Sequence, residues 1–474
     1  MKRLIKLSLA SVLAIASLQA AEVSKDANDL ESMFANGKVS GQIRTFYIDR
    51  AYQGSAGKDT HRDSTAIGGH IKYETATYNA IKLGAAFYTT HKVDLNQHGT
   101  EDPSLLGLDW DSYSILGEAY LGLDFSEYGS KTNAKLGLQR YDTPMVGSDD
   151  ARMIPNTFEA YKIVNRDIGG LTIQVAHINQ IAYGSFGNIY MSKASGTVKG
   201  GGLLGATAGY SANGIEVGEY NNIGDATVGE NTDGITNMQL SYKNGNFNAK
   251  VSDDYAWDLY NTIYADAGVS WTCLLTDSVK PFFKAQVIKQ DSVGDENMQN
   301  IDTKVGSSST SDGDINSLYW AIKAGAKAGG LTAYVAYSET TDNDKSDINN
   351  GNAYSNAIIS QFGGMPAYTQ GMVTRHMFLA GTKATKVAAS YSFKEQGLNL
   401  SAAAYYASFD MDDNSGYGPG RTAYEPGFDI KYYPKMVKNL QLRVRGNFPR
   451  KFAETSTGKD VGWDEYRFIV NYNF

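Results

Sequence analysis

Asp464 to Phe474 reads DEYRFIVNYNF, and the architecture follows from the way this stretch alternates. Taken two residues at a time, Tyr466, Phe468, Val470, Tyr472 and Phe474 fall on one face, and Glu465, Arg467, Ile469, Asn471 and Asn473 on the other. A period of two marks a strand, because successive side chains leave a pleated backbone on opposite sides. The first face is wholly apolar or aromatic and the second mostly polar, as a strand with lipid outside and water inside requires. A strand of about ten residues, tilted, crosses a bilayer core. The edge of a soluble sheet can carry the same alternation, so the rest of the chain must decide between them.

The chain opens MKRLIKLSLASVLAIASLQA. Lys2, Arg3 and Lys6 precede an apolar run from Leu7 to Leu18, followed by small residues at Ala20 and Ala21. This pattern predicts a secretory signal peptide over residues 1–20, whose apolar core is too short for a transmembrane helix. No other run is long and apolar enough to span as a helix, so a mature chain in a membrane must cross it as strands that close on themselves. Residues 21–38 are expected to form a short periplasmic segment with an amphipathic hint at Leu30, Met33 and Phe34, and residues 39–474 the membrane domain.

Composition narrows the function classes. Lys and Arg number 43 against 51 Asp and Glu, and the first twenty residues hold three of the bases and no acid, which argues against nucleic acid as a partner. Cys273 is the only cysteine, so no intrachain disulfide can form. The six histidines (His61, His70, His91, His98, His177, His376) are scattered, and neither a metal nor a cofactor is expected. The 32 tyrosines suit the aromatic girdles of a membrane barrel.

Candidate strands recur along the chain, among them Val39 to Asp49, Ala80 to Thr89 (Ile81, Leu83, Ala85 and Phe87 outward), Asp111 to Asp124 (Tyr113, Ile115, Gly117, Ala119, Leu121 and Leu123 on one face), Thr132 to Tyr141, Tyr424 to Tyr433 and Leu440 to Phe448. Short connections such as Tyr78-Asn79, Arg166-Asp167 and Gly329-Gly330 alternate with long polar ones such as Gln290 to Asn316 and Thr340 to Arg375. That two-beat of short periplasmic turns and long external loops predicts an all-β fold, a transmembrane antiparallel up-and-down barrel of about 18 strands, or 20 if Gly202 to Asn221 adds a hairpin. A barrel this wide encloses water, so a channel is the default function.

If the last strand pairs with the first, Arg44, Lys431, Arg443 with Arg445, and Arg467 sit on four neighbouring strands, each on the face opposite the apolar set. They would form a pore-lining basic ladder that draws anionic or carboxylate-bearing solutes. Glu425, Asp429 and Glu465 lie inward on the same strands, and neutralisation of the ladder is the alternative. Between two good strands, Asp142 to Asn156 (DTPMVGSDDARMIPN) lacks any period of two and carries Asp149, Asp150 and Arg152 between Pro144 and Pro155. Folded into the lumen, it would narrow the pore at about residues 142–156 and set acids opposite the ladder.

The stretches Gly137 to Pro144 (GLQRYDTP) and Asp150 to Ala160 (DARMIPNTFEA), with Glu425, the strand Leu440 to Arg445 and the EYR opening of the last strand, resemble the OprD-type outer-membrane porins. The resemblance implies an 18-stranded pore in the cell outer membrane of a Gram-negative bacterium, with an arginine-rich wall, that passes small, often carboxylate-containing nutrients. It also implies that Asp149, Asp150 and Arg152 lie at the eyelet. One departure concerns Arg140, which follows Gln139 and by alternation faces the lumen only if the strand has already ended.

Two other readings stay open. An outer-membrane hydrolase would need a His beside a Ser or paired acids at the outer rim, and His98 and His376 stand near such residues only as any polar loop does. A transporter barrel for hydrophobic substrates would want a structured plug before the first strand, for which only Ala21 to Lys38 is available. The expected partners are outer-membrane lipid and small solutes, the protein acting as a monomer or a weak homotrimer without catalytic residues.

Overall fold

The computed structural model describes residues 27–53, 60–93, 95, 101–107, 111–187, 198–200, 208–210, 217–228, 230–294, 314–345, 356–360, 363–415, 420–454 and 458–474. The expected signal peptide and His98 lie outside them.

Eighteen long strands make the wall: β1 Lys38–Gln53, β2 Thr60–Glu74, β3 Ile81–Lys92, β4 Tyr113–Asp124, β5 Asn133–Gln139, β6 Thr157–Asn165, β7 Leu171–Ala182, β8 Ile235–Asn244, β9 Phe247–Ala256, β10 Tyr260–Ser270, β11 Val279–Ser292, β12 Asn316–Ala328, β13 Leu331–Thr340, β14 Lys383–Ser392, β15 Leu400–Met411, β16 Arg421–Tyr432, β17 Leu440–Asn447 and β18 Asp460–Asn473. Each pairs antiparallel with the next, and β18 returns to β1 with Tyr47 opposite Phe468 and Thr45 opposite Val470. Closure leaves no open edge, so the backbone hydrogen bonds that lipid cannot supply are made between strands. Residues 198–200 and 208–210 pair with each other as a separate two-stranded sheet, and Asn221–Asn222 adds a two-residue pairing to Ile181 and Gln180 of β7, so among the described residues the doubtful region adds no long strand to the barrel.

In β18 the alternation is as read: Tyr466, Phe468 and Val470 are exposed on the outer face, while Glu465, Arg467, Ile469 and Asn471 are buried. Ile81, Leu83 and Phe87 likewise face outward. β4 departs from its expected single face. The register with β3 shifts so that Ala86 opposes Glu118 but Phe87 opposes Leu116, leaving Gly117 as the extra residue of a bulge. Leu116 therefore points outward, and Ile115 turns inward and is buried. At the end where β1 begins and β18 finishes, a short helix, α1 Leu30–Ala35, is capped by Asp29 and Ser32 and tucks Met33 against Ala27 and Ala76.

The interior is not open along its length. One buried cluster sets Met145, Val146, Ile358, Ile359, Phe378 and Leu379, all from loops, against the inner faces of strands through Ile288, Tyr319, Ala384 and Phe409. A second sets Leu105, Leu106, Met153 and Ile154 against Phe46, Ile48, Ala66 and Tyr88. Loops fold inward and pack on the wall, which narrows a cylinder too wide for its own side chains to fill.

Candidate functional site

The five predicted bases come together. Across β16, β17, β18 and β1 the register pairs Lys431 with Arg443, Asp429 with Arg445, Arg445 with Arg467, and Asn471 with Arg44. Their side chains differ in access: Arg467 and Arg44 retain 2% and 9% of their surface, Arg445 16%, Arg443 23% and Lys431 38%. Access therefore rises across the wall from β18 and β1 to β17 and β16.

Acids occupy the same wall unevenly. Asp429 accepts from Arg443 through Nε (2.8 Å) and Nη2 (2.5 Å), and Lys431 approaches it at 3.8 Å. Arg445 comes no nearer to Asp429 than 4.0 Å, and its buried Nε has no hydrogen-bond acceptor among the described residues. Glu465 is fully buried, accepting from Arg50 Nε at 2.7 Å and from Arg467 Nε, with Arg152 Nη2 at 3.6 Å. Glu425 serves no base of the ladder: its carboxylate accepts backbone N–H bonds from Met372 (2.6 Å) and Thr374 (2.9 Å), and the Tyr405 hydroxyl. The chain fits over it closely, since a Cβ on Gly371 would stand 2.4 Å from Glu425 Oε2. Neutralisation of the ladder is thus partial, and positive charge is in excess on its open half.

The segment 142–156 folds against the inside of this wall. Thr143 and Val146 close a tight turn (N···O 2.6 Å), Asp142 holds the Ser148 amide (2.8 Å), and Ser185 Oγ accepts from the Met153 and Ile154 amides. Arg44 Nη1 donates to Asp150 Oδ1 at 2.6 Å and to the Arg152 carbonyl, while Arg44 Nε holds Asn471 at 2.9 Å. Asp150 is therefore seated on the basic wall, not across the lumen from it. Burial acts to raise its carboxyl, but Arg44 and Arg140 outweigh burial and hold it below the ordinary carboxylate range. β5 ends at Gln139, which frees Arg140 to turn toward Asp150, 3.8 Å away. Arg152 is 1% exposed, donating to Ser104 Oγ at 3.1 Å and lying over the Phe186 ring at 5.1 Å. It locks the loop to the wall instead of presenting charge to the lumen.

Two contributors escaped the sequence reading. Arg50 bridges Glu465 and Asp102, both at 2.7 Å. Its spacing of six from Arg44 puts it on the same face, but the expected strand stopped at Asp49. The second is an inward loop built from residues 356–360 and 363–382. Its Ile359 main chain exchanges two hydrogen bonds with the Gln290 side chain (2.7 and 2.8 Å), and Met377 and Gln370 carbonyls accept from Thr340 (2.6 Å) and Lys386 (2.7 Å). It meets the first loop through a Val146–Gly363 bridge and an Asp149–Arg375 ion pair at 3.7 Å. Between the two loops and the wall at Lys250 and Tyr264 lies a pocket of about 350 Å³ that also takes in Asp142 and Pro366. His376, weighed as a hydrolase histidine, is buried, with Nε2 3.0 Å from the Phe452 carbonyl and its ring edge-on to Phe452.

Residues 32–474 match the family model described as outer membrane porin, OprD family. Among solved structures, the chain resembles OccK9 (OpdG) of Pseudomonas aeruginosa at 18% identity with a TM-score of 0.69, covering 93% of this chain and 99% of that one. OpdK of the same organism, solved with vanillate, aligns over the same shares at 16% identity and a TM-score of 0.67. A BenF-like porin from Pseudomonas fluorescens Pf-5 does so at 15% identity and 0.66. No curated protein matches.

Proposed function

The chain belongs to the OprD family of outer-membrane porins, and from that premise we propose that its pore favours small anionic solutes, carboxylate-bearing nutrients above all. Arg445 carries the proposal. It stands opposite a second arginine, Arg467, and its buried Nε lacks an acceptor among the described residues. Lumen water can accept from that donor, and a carboxylate passing through accepts from it more strongly, because hydrogen bonds between two charged groups are stronger than neutral ones. Arg443 and Lys431 continue the path on the more exposed side.

On this reading the 142–156 segment and the loop residues 356–360 and 363–382 are the constriction, with Asp149 paired to Arg375, Asp150 to Arg44, and Arg152 acting as an anchor. OpdK was solved with vanillate, an arene carboxylate, which agrees with the proposed solute class. The work is passive diffusion, and no step of it calls for a catalytic residue.

The test is reversal potential in a salt gradient across a planar bilayer, with liposome swelling over a panel of small acids, amino acids and sugars. Anion preference that falls in Arg443→Gln/Arg445→Gln, with carboxylates swelling fastest in the unaltered protein, is expected. An unchanged reversal potential in the double variant overturns the proposal.

A further inference from the structure

A second stretch of the wall, about a third of the way round the barrel, carries charge that the arginine path does not use. On the inner face of β11 and β12, Lys284 stands directly opposite Lys323, and four residues nearer the short-turn end Lys280 stands opposite Lys327. Like charges paired across neighbouring strands destabilise a sheet, by up to about 1 kcal/mol each, and here two such pairs are stacked. None of the four lies within 4.0 Å of a carboxylate among the described residues. Asp266, on β10, is the acid whose field reaches Lys323.

Between the two rows the surface is aromatic. Phe282 lies over Gly325, where an added Cβ would come within 2.6 Å of the ring, and Lys323 Nζ stands 4.8 Å from the centre of the Tyr334 ring and 4.3 Å from that of Tyr368. Cation–π contact gives Lys323 a structural role, but Lys280, Lys284 and Lys327 gain none from it. The lysines, Phe282 and Tyr334 line one pocket of about 470 Å³ at the periplasmic mouth.

We propose that this pocket is an exit subsite, distinct from the arginine wall, that binds a solute carrying a carboxylate on a flat apolar body: the carboxylate at the Lys284–Lys323 pair and the body on Phe282 and Tyr334. It rests on the reading of the pore as an anion path and adds the second station on it. A solute leaving the constriction exchanges one set of cations for another, which keeps each site weak enough to release.

The test is single-channel recording with benzoate or acetate added on the periplasmic side. Benzoate is expected to interrupt the current at lower concentration than acetate. Lys284→Gln/Lys323→Gln should raise the blocking concentration of benzoate about tenfold, and Phe282→Leu, which removes the flat ring, should narrow the gap between benzoate and acetate. Arg443→Gln/Arg445→Gln should leave this block in place, so loss of salt-gradient selectivity and loss of the block report separately on the two stations. The heat-modifiable gel shift of a folded barrel checks that each variant has folded. Benzoate block unchanged in the folded lysine variant, or equal block by benzoate and acetate in the unaltered pore, overturns the proposal.

Discussion

Arg445 on β17 stands directly opposite Arg467 on β18, yet Arg467 donates to the buried Glu465, which it shares with Arg50, while Arg445 comes only within 4.0 Å of Asp429, an acid already bonded to Arg443. The two therefore do different work. Arg445→Gln removes a charge that Asp429, shared with Arg443 and Lys431, compensates only in part. In a water-filled lumen a unit charge about 5 Å from a passing ion is worth about 0.8 kcal/mol, attractive for an anion and repulsive for a cation, so the anion-to-cation permeability ratio should fall by up to about fifteenfold. Arg467→Gln should leave that ratio within about twofold and instead lower the unfolding temperature, since it breaks a buried pair. Reversal potentials and thermal unfolding of the two variants, measured side by side, check the division.

Asp150 ties the 142–156 loop to Arg44. With the folded carboxyl held below its ordinary value of 3.8, the ionised form is the one the fold stabilises. Its contribution is present in full above that value and is lost as pH falls through the lower folded one. Conductance should thus be insensitive to this group from neutral pH down to about pH 4. Asp150→Asn should reproduce the acid state at neutral pH, with a wider and noisier pore and a stability loss of about 1 kcal/mol, because Arg44 keeps Asn471 and the Arg152 carbonyl. Single-channel traces at pH 7 and pH 5, with and without the substitution, are the measurement.

Strand number, closure and the basic wall were legible because period-two alternation is imposed by the solvent on each face, residue by residue, as Tyr466 to Asn471 illustrates. What alternation cannot reveal is a loop that folds back inside. Ile358, Ile359 and Met377 are apolar residues in a polar stretch, and only their burial against strand faces such as that of Tyr319 shows where they go. The bulge at Gly117 was hidden for a related reason: the apolar residues Ile115 and Leu116 are adjacent, so either can be assigned outward until the pairing with β3 fixes the register. Arg152 reads as an eyelet charge by its neighbours in sequence and lies buried by its neighbours in space.

Glu425 is the peg of the second loop. It is fully buried and receives the amides of Met372, Val373 and Thr374 and the Thr374 and Tyr405 hydroxyls. Hydrogen bonds to a charged group contribute about 1.5–3 kcal/mol each, and stranded donors add a desolvation cost. Glu425→Ala should therefore release residues 371–374, costing about 3 kcal/mol or more and giving a pore that flickers between conductance levels. Gly371→Ala should act in the same direction by crowding the carboxylate. Open-channel noise and protease sensitivity of the loop in both variants would show it, and steady, protease-resistant channels would refute the assignment.

His376 gives the same loop a response to acid. The ring is packed between Phe409 and Phe452, and burial pushes its pKa down to about 3 from 6.5. Between those two values the released loop binds a proton that the packed one excludes, so packing is at full strength above about pH 6.5 and weakens steadily as pH falls toward 3. At pH 5 the loss amounts to about 2 kcal/mol, enough to shift a marginal loop by about thirtyfold between packed and released. Acid should therefore raise open-channel noise well before the Asp150 tether lets go. His376→Phe, which keeps the aromatic contacts and cannot be protonated, should abolish that rise while giving up the bond to the Phe452 carbonyl. If noise at pH 5 is the same with and without His376, the loop is held by contacts that proton uptake does not reach.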